Sequence, residues 1–341
     1  MTAPDPRANP NLFGHATAEK TLVDATRGDR LHHAWLITGP KGIGKATLAY
    51  RFARRLLAGT GEGDTLDLDP NHPTFRRVAA SAHADLLTVE LAYDIKRKRM
   101  RSQIAVDDVR RISAFMSLTP AEGGWRVAIV DGAEALNQNS ANALLKILEE
   151  PPKRAILLLV CSSPGALLPT IRSRCRRLAL SALDDNAMAA ALETYLPEMD
   201  ADERLRLISL AEGSPGRALL LAEEEGLKIA TLVDNVLADL PALPPMRGYE
   251  LADALGRSET GFSTFMDLLR TAIAAAIRAA AIGRADPDQA RLAEMLPLAA
   301  WSELWHALGR LQDDTERVAL DKRQALVQAM SLLPNNATGI P

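Results

Sequence analysis

Short apolar runs alternate with helically spaced apolar positions through the first half of the chain, and the alternation stops near Ser181. Ala34–Thr38, Leu86–Val89, Trp125–Asp131, Ile156–Val160 and Arg177–Leu180 have the length and composition of strands buried on both faces. Between them, residues Ala46–Ala58 put Leu48, Phe52, Ala53 and Leu56 on one helical face. Val106, Val109, Ile112 and Met116 do the same for a second helix, and Ser140–Glu150 predicts a third, stopped by Pro151-Pro152. Residues 59–75 are rich in Gly, Asp and Pro and read as loop. The pattern predicts a parallel sheet with helices on both faces. Beyond Ser181 it predicts helices alone, separated by Pro197, Gly213–Gly216, Pro241–Pro245, Asp286-Pro287 and Pro297. Trp301, Leu304, Trp305, Leu308 and Leu311 form a stripe expected to face a core. Pro241–Pro245 reads as a linker or sharp turn.

Composition narrows the classes. The 341 residues suffice for two or three domains, and 47% hydrophobic residues suffice for their cores. A net charge of −3 argues against a chain that grips nucleic acid over its whole surface. The strongest basic run, Lys96-Arg97-Lys98-Arg99 with Arg101, has no aromatics usefully interleaved. It reads as a solvated loop or helix end, with contact to DNA phosphates as the alternative. The two cysteines, Cys161 and Cys175, are too few for a four-thiolate zinc site, so no zinc is expected, and they suit a reduced cytoplasmic protein. Met1–Asn11 lacks the apolar segment of a secretory leader, and the apolar run Ala155–Cys161 is too short to span a bilayer, so no membrane association is expected.

Gly39-Pro40-Lys41-Gly42-Ile43-Gly44-Lys45 matches G-x-x-x-x-G-K between a predicted strand and a predicted helix, the context a phosphate-binding loop requires. The glycines let successive N–H groups converge on phosphate oxygens, and Lys45 adds a point charge. A magnesium-using loop needs a hydroxyl after the lysine, and this chain has Ala46. Thr47 follows, but one step along a helix turns the side chain by about 100°. Asp131 ends an apolar strand, where a carboxylate can sit over magnesium waters; the next residue is Gly132, without the carboxylate that orients an attacking water. Nucleotide binding is therefore compatible with the sequence, and hydrolysis in the chain's own site is expected to be absent or very weak.

Several further segments carry a family resemblance. Leu31–Pro40, Ala141–Pro152, Arg172-Ser173-Arg174-Cys175 and Gly213–Ala218 occur in the order found in the bacterial clamp-loader AAA+ ATPases, and the chain resembles that family over residues 31–218. The loss of the metal hydroxyl, of the second acidic residue and of the zinc cysteines, with the Ser-Arg-Cys motif kept, resembles its delta-prime type. The resemblance implies an α/β AAA+ core with a RecA-like parallel sheet (residues 1–182), a helical lid (183–228) and an all-α collar domain for oligomerisation (229–341). It implies delta and gamma or tau subunits as partners, and the sliding clamp and primed DNA through the assembled complex. ATP is then possible but not required.

The resemblance also implies roles for residues. Arg174 would be an arginine finger acting on a neighbouring subunit's ATP, with Arg172 the other candidate. Gly39, Gly42, Gly44, Lys45, Ala46, Thr47 and Asp131 would surround nucleotide in this chain. Arg217 would reach it as a sensor, or else be a solvated helix arginine. The chain would be a stator that helps load the clamp. The rival readings are a self-sufficient AAA+ ATPase of gamma or tau type, opposed by Ala46 and Gly132; a small-molecule P-loop kinase, which needs an intact metal site and is opposed by the ordered clamp-loader motifs; and a plain DNA-binding protein, opposed by the net charge.

Overall fold

A computed structural model describes the chain apart from residues 1–3, 28–30, 60–62, 92, 95–98, 224, 257, 259, 319 and 336–341. The chain divides into two compact units, residues 2–219 and 220–341.

The first unit is built on a five-stranded sheet. Its strands are β1 (Ala34–Thr38), β2 (Leu86–Val89), β5 (Arg126–Asp131), β6 (Ala155–Cys161) and β7 (Arg176–Ala179). A two-stranded hairpin, β3 (Tyr93–Asp94) with β4 (Arg99–Met100), stands apart. The order β2-β5-β6-β1-β7 is parallel throughout, so β1 lies between β6 and β7, and β7 forms an edge. This is the AAA+ type of sheet. β1 and β6 are buried along their whole length, as expected where helices cover both faces. The covering helices include α1 (Ala16–Thr26), α2 (Lys45–Ala58), α3 (Pro73–Ala79), α4 (Val106–Ser117), α5 (Gln138–Glu149) and the single turn α6 (Pro169–Arg172). Three more follow the sheet: α7 (Asp185–Tyr195), α8 (Ala201–Ala211) and α9 (Pro215–Glu223).

Strand and helix positions agree with the apolar pattern to within a residue or two. One expectation is corrected. The stretch read as loop to residue 75 already turns helical at Pro73, where proline suits the first position of α3 and His72 caps it by accepting the Thr74 N–H at 3.2 Å. The basic run at 96–99 lies almost wholly outside the described residues.

A buried ion pair braces the sheet. Asp85 accepts the N–H groups of Ala121 (2.8 Å) and Glu122 (3.0 Å) and pairs with Arg126 at 3.3 Å. Arg126 also donates to the carbonyls of Phe115 and Thr119, and lies 4.7 Å over the Phe115 ring. The end of α4 and the loop into β5 are thereby tied to the start of β2.

The second unit is helical among its described residues: α10 (Gly226–Asp239), α11 (Arg247–Leu255), α12 (Gly261–Ala281), α13 (Pro287–Glu294), α14 (Leu298–Val318) and α15 (Lys322–Leu332). Pro241–Pro245 forms the turn between α10 and α11. Phe262, Phe265, Leu269 and Ile273 of α12 are buried, and α12 packs against α10, α13 and α14. The tryptophan stripe on α14 behaves as core: Trp301, Leu304 and Leu308 are buried. Trp305 is half-buried, donates to the Arg270 carbonyl at 3.1 Å and lies under the Arg270 guanidinium. No helix among the described residues is long and apolar enough to cross a membrane.

Candidate functional site

The loop from Gly39 to Lys45 joins β1 to α2 at the end of the sheet, at the rim of a cleft of ≈ 1110 Å³. Its four carbonyls from Pro40 to Ile43 are each engaged. Lys45 Nζ donates to Pro40, Ser214 Oγ to Lys41 (2.9 Å), the Gly216 N–H to Gly42 (2.9 Å) and His15 Nε2 to Ile43 (2.7 Å). A carbonyl only accepts, so the proton of His15 sits on Nε2. Among the described residues no backbone N–H from Lys41 to Gly44 is used within the chain. Those groups are free for phosphate oxygens, and the start of α2 adds its dipole. The loop thus fits a polyphosphate.

Two glycines make the loop dock closely on the start of α9. Gly42 has φ +78°, and a Cβ there would lie 2.5 Å from Ser214 Oγ. A Cβ on Gly216 would lie 2.9 Å from the Gly42 Cα. Gly216→Ala is therefore expected to destabilise the chain by about 1–3 kcal/mol through overpacking against rigid backbone, read as a lower urea midpoint.

Lys45 is buried, and burial lowers its pKa against the opposing pull of Glu134 and Asp131. Asp131, at the end of β5, lines the cleft; burial raises its pKa, Glu90 raises it further, and Lys45 opposes. Ala46 and Thr47 also line the cleft, and Thr47 is buried. Gly132 follows Asp131 with φ +80° and begins a short turn that carries Glu134. The Glu134 carboxylate accepts the Ser162 N–H with both oxygens at 3.1 Å, so it is held at the end of β6. The cleft brings together the Gly-rich loop, Lys45 and Asp131, without a hydroxyl directly after the lysine or a carboxylate directly after Asp131.

The far wall was not apparent from the sequence. Pro4–Pro6, Asn9 and Asn11–Phe13 line the cleft together with Tyr195 and Leu219. Asn9 donates to the Tyr195 hydroxyl at 2.9 Å, and Phe13 meets the Tyr195 ring edge-on. This N-terminal segment is strapped to α2 by arginines with little exposure. Arg54 donates to the carbonyls of Arg7 and Asn9, and Arg51 donates to Pro10 while pairing with Glu19 and Asp67.

Arg217 follows Gly216 but is not among the residues lining the cleft; its guanidinium pairs with Glu212 at 3.2 Å. Arg174 lies between α6 and the edge strand β7 and is half-buried. On either side of it Ile171 and Cys175 are buried, which fixes the local backbone and turns the arginine outward. Its Nη1 donates to the Thr170 carbonyl at 3.1 Å, and its Nη2 pairs with Glu149 at 2.9 Å. Arg172 is exposed. Burial pushes the Cys175 thiol up to about 12 and the Cys161 thiol up to about 11, which keeps both protonated. Among the described residues there is no group of three or more His, Cys, Asp or Glu that could hold a metal ion. His83 is buried and accepts the Asp85 N–H.

Residues 14–184 match the family described as DNA polymerase III, delta subunit. The DNA polymerase III subunit delta' of Escherichia coli is 30% identical over 239 residues, which cover 70% of this chain and 68% of that one. The chain belongs to the delta-prime family of DNA polymerase III subunits. The Pseudomonas aeruginosa subunit delta' is 38% identical over 63% of this chain and 64% of its own length. The E. coli subunit tau is 31% identical over 64% of this chain, and the match spans 33% of tau. The chain therefore matches just under two thirds of the Pseudomonas relative's length and a third of tau's. Among solved structures, the Thermotoga maritima RuvB Holliday junction branch migration motor aligns over 95% of this chain and 92% of its own, at 18% identity and a TM-score of 0.46.

Burial lowers the pKa of His15, His33 and His83 below the ordinary 6.5. The unfolded chain then takes up more protons than the folded one as pH falls through 6.5. This contribution to stability is complete above that value and is lost as pH drops toward the lowered folded values. The urea midpoint is expected to be lower at about pH 5.5 than at about pH 7.5, with a shallower slope in His15→Asn.

Proposed function

We propose that the chain is a stator-type clamp-loader subunit that donates Arg174 to a neighbouring subunit's ATP. In this reading residues 1–182 are the AAA+ core, 183–228 a helical lid and 229–341 the collar through which the subunits join. The partners are delta and gamma or tau subunits, and the assembled complex places the sliding clamp on primed DNA. The carrying observation is the placement of Arg174 beside an edge strand, on backbone anchored by Ile171 and Cys175. Catalysis of phosphoryl transfer consists largely of positioning and charge neutralisation. Arginine suits the role because its planar cation stays charged and forks onto phosphate oxygens.

The chain's own cleft supports a second part of the reading. Gly39, Gly42, Gly44, Lys45, Ala46, Thr47 and Asp131 would surround a nucleotide, with the loop N–H groups and Lys45 holding its phosphates. Magnesium would lack its loop hydroxyl and the attacking water its carboxylate. Arg217 would contribute only by leaving Glu212. The isolated chain is expected to bind ATP without turning it over. Filter binding with labelled ATP and a single-turnover assay on the same sample check this; brisk hydrolysis would overturn it.

A further inference from the structure

We infer that Glu149 is the positioning residue for Arg174, fixing the guanidinium in the orientation from which it meets a neighbour's phosphate. The inference rests on the reading of Arg174 as a donor in trans. Glu149 is the last residue of α5, where the helix dipole disfavours a carboxylate. It does not serve the helix it ends; its partner is Arg174 Nη2, 2.9 Å away. The Thr170 carbonyl holds Nη1 at 3.1 Å. Two anchors on different nitrogens set both the direction and the plane of the group. A guanidinium carries five N–H donors, so the remaining ones are left for phosphate oxygens.

The backbone is fixed as well, because Ile171 and Cys175 bury their side chains on either side of the arginine. α5 and α6 pack together, and the Arg174 N–H donates to the Ile171 carbonyl of α6, so the two elements that carry Glu149 and Arg174 are joined. A donor held in place before the reaction needs no reorganisation as charge develops, whereas a freely rotating arginine must first be ordered. Arg172, two residues earlier, is exposed. The tethers therefore distinguish the two arginines of the motif and favour Arg174. A half-exposed surface pair with no such role would contribute little, and kinetics separates the two.

The test uses the chain assembled with delta and gamma or tau subunits, the clamp and primed DNA, reading steady-state ATP hydrolysis. Glu149→Ala is expected to lower kcat about tenfold with KM within about twofold, the signature of a group acting in the transition state. Glu149→Gln, which keeps an acceptor, should recover part of the loss, and it carries the test if the alanine variant does not assemble. In an Arg174→Ala background the Glu149 substitution should add less than about twofold, because it acts only through the arginine. If Arg174→Ala cuts the rate and Glu149→Ala does not, the positioning role fails and the finger stands. Equal losses from Glu149→Ala in both backgrounds would also sink it. If Arg174→Ala changes nothing, the reading of the finger fails, and this inference with it.

Discussion

Arg174→Ala is expected to slow ATP hydrolysis at the neighbouring subunit's site by about 10³–10⁵-fold, the usual worth of an arginine finger. The loss should fall on kcat, since the finger meets charge that develops only as the phosphoryl group transfers. The fold should survive. The side chain is half-exposed, and its ion pair with Glu149 is a surface interaction worth about 0–1 kcal/mol. The burial of Ile171 and Cys175, which shapes the local backbone, is untouched. Arg174→Lys should recover little, because lysine keeps the charge and loses the fork. DNA-stimulated ATPase and clamp loading by the reconstituted complex, alongside a melting curve of the variant, check each part. An Arg172→Ala control should be close to wild type.

The largest effect on stability is expected from Asp85→Ala. Removing this carboxylate leaves Arg126 in the interior without its charge partner and frees the N–H groups of Ala121 and Glu122. Breaking a buried pair from one side costs about 3–5 kcal/mol. For a unit of this size that corresponds to a fall in melting temperature of roughly 6–20 °C. Replacing both partners together, Asp85→Leu with Arg126→Met, should cost less than Asp85→Ala, because no charge is then stranded. Calorimetry on the three proteins would show the order.

The sequence carried the sheet and the Gly-rich turn from β1 into α2 well, for physical reasons. The strands are buried on both faces, so their apolar runs are continuous, and a loop that converges N–H groups on phosphate needs glycine and lysine at set positions. It carried the N-terminal wall of the cleft poorly. Asn9 and Phe13 lie far from Tyr195 along the chain, and nothing in their local pattern brings them together. The part played by Arg51 and Arg54 depends on the carbonyls of Arg7, Asn9 and Pro10 folding across them, which no local pattern signals. His15 likewise gains its place only when it reaches the Ile43 carbonyl. The start of α3 was obscured by Pro73, which reads as a loop signal but is well suited to a helix's first turn. Arg217 illustrates a different limit: the family resemblance implies contact with nucleotide, and the pairing of its guanidinium with Glu212 was not legible in the sequence. Arg174 was legible as a motif residue, but its two anchors, Glu149 and Thr170, were not.

The central claim is that this chain's chemistry lies in what it gives a neighbour rather than in its own cleft. The most direct measurement compares Lys45→Ala with Arg174→Ala in the same reconstituted complex, following DNA-stimulated ATP hydrolysis. The account predicts a rate within about twofold of wild type for Lys45→Ala, and for Arg174→Ala a loss approaching that of an absent finger at the adjoining site. A large loss from Lys45→Ala with Arg174→Ala unaffected would contradict it.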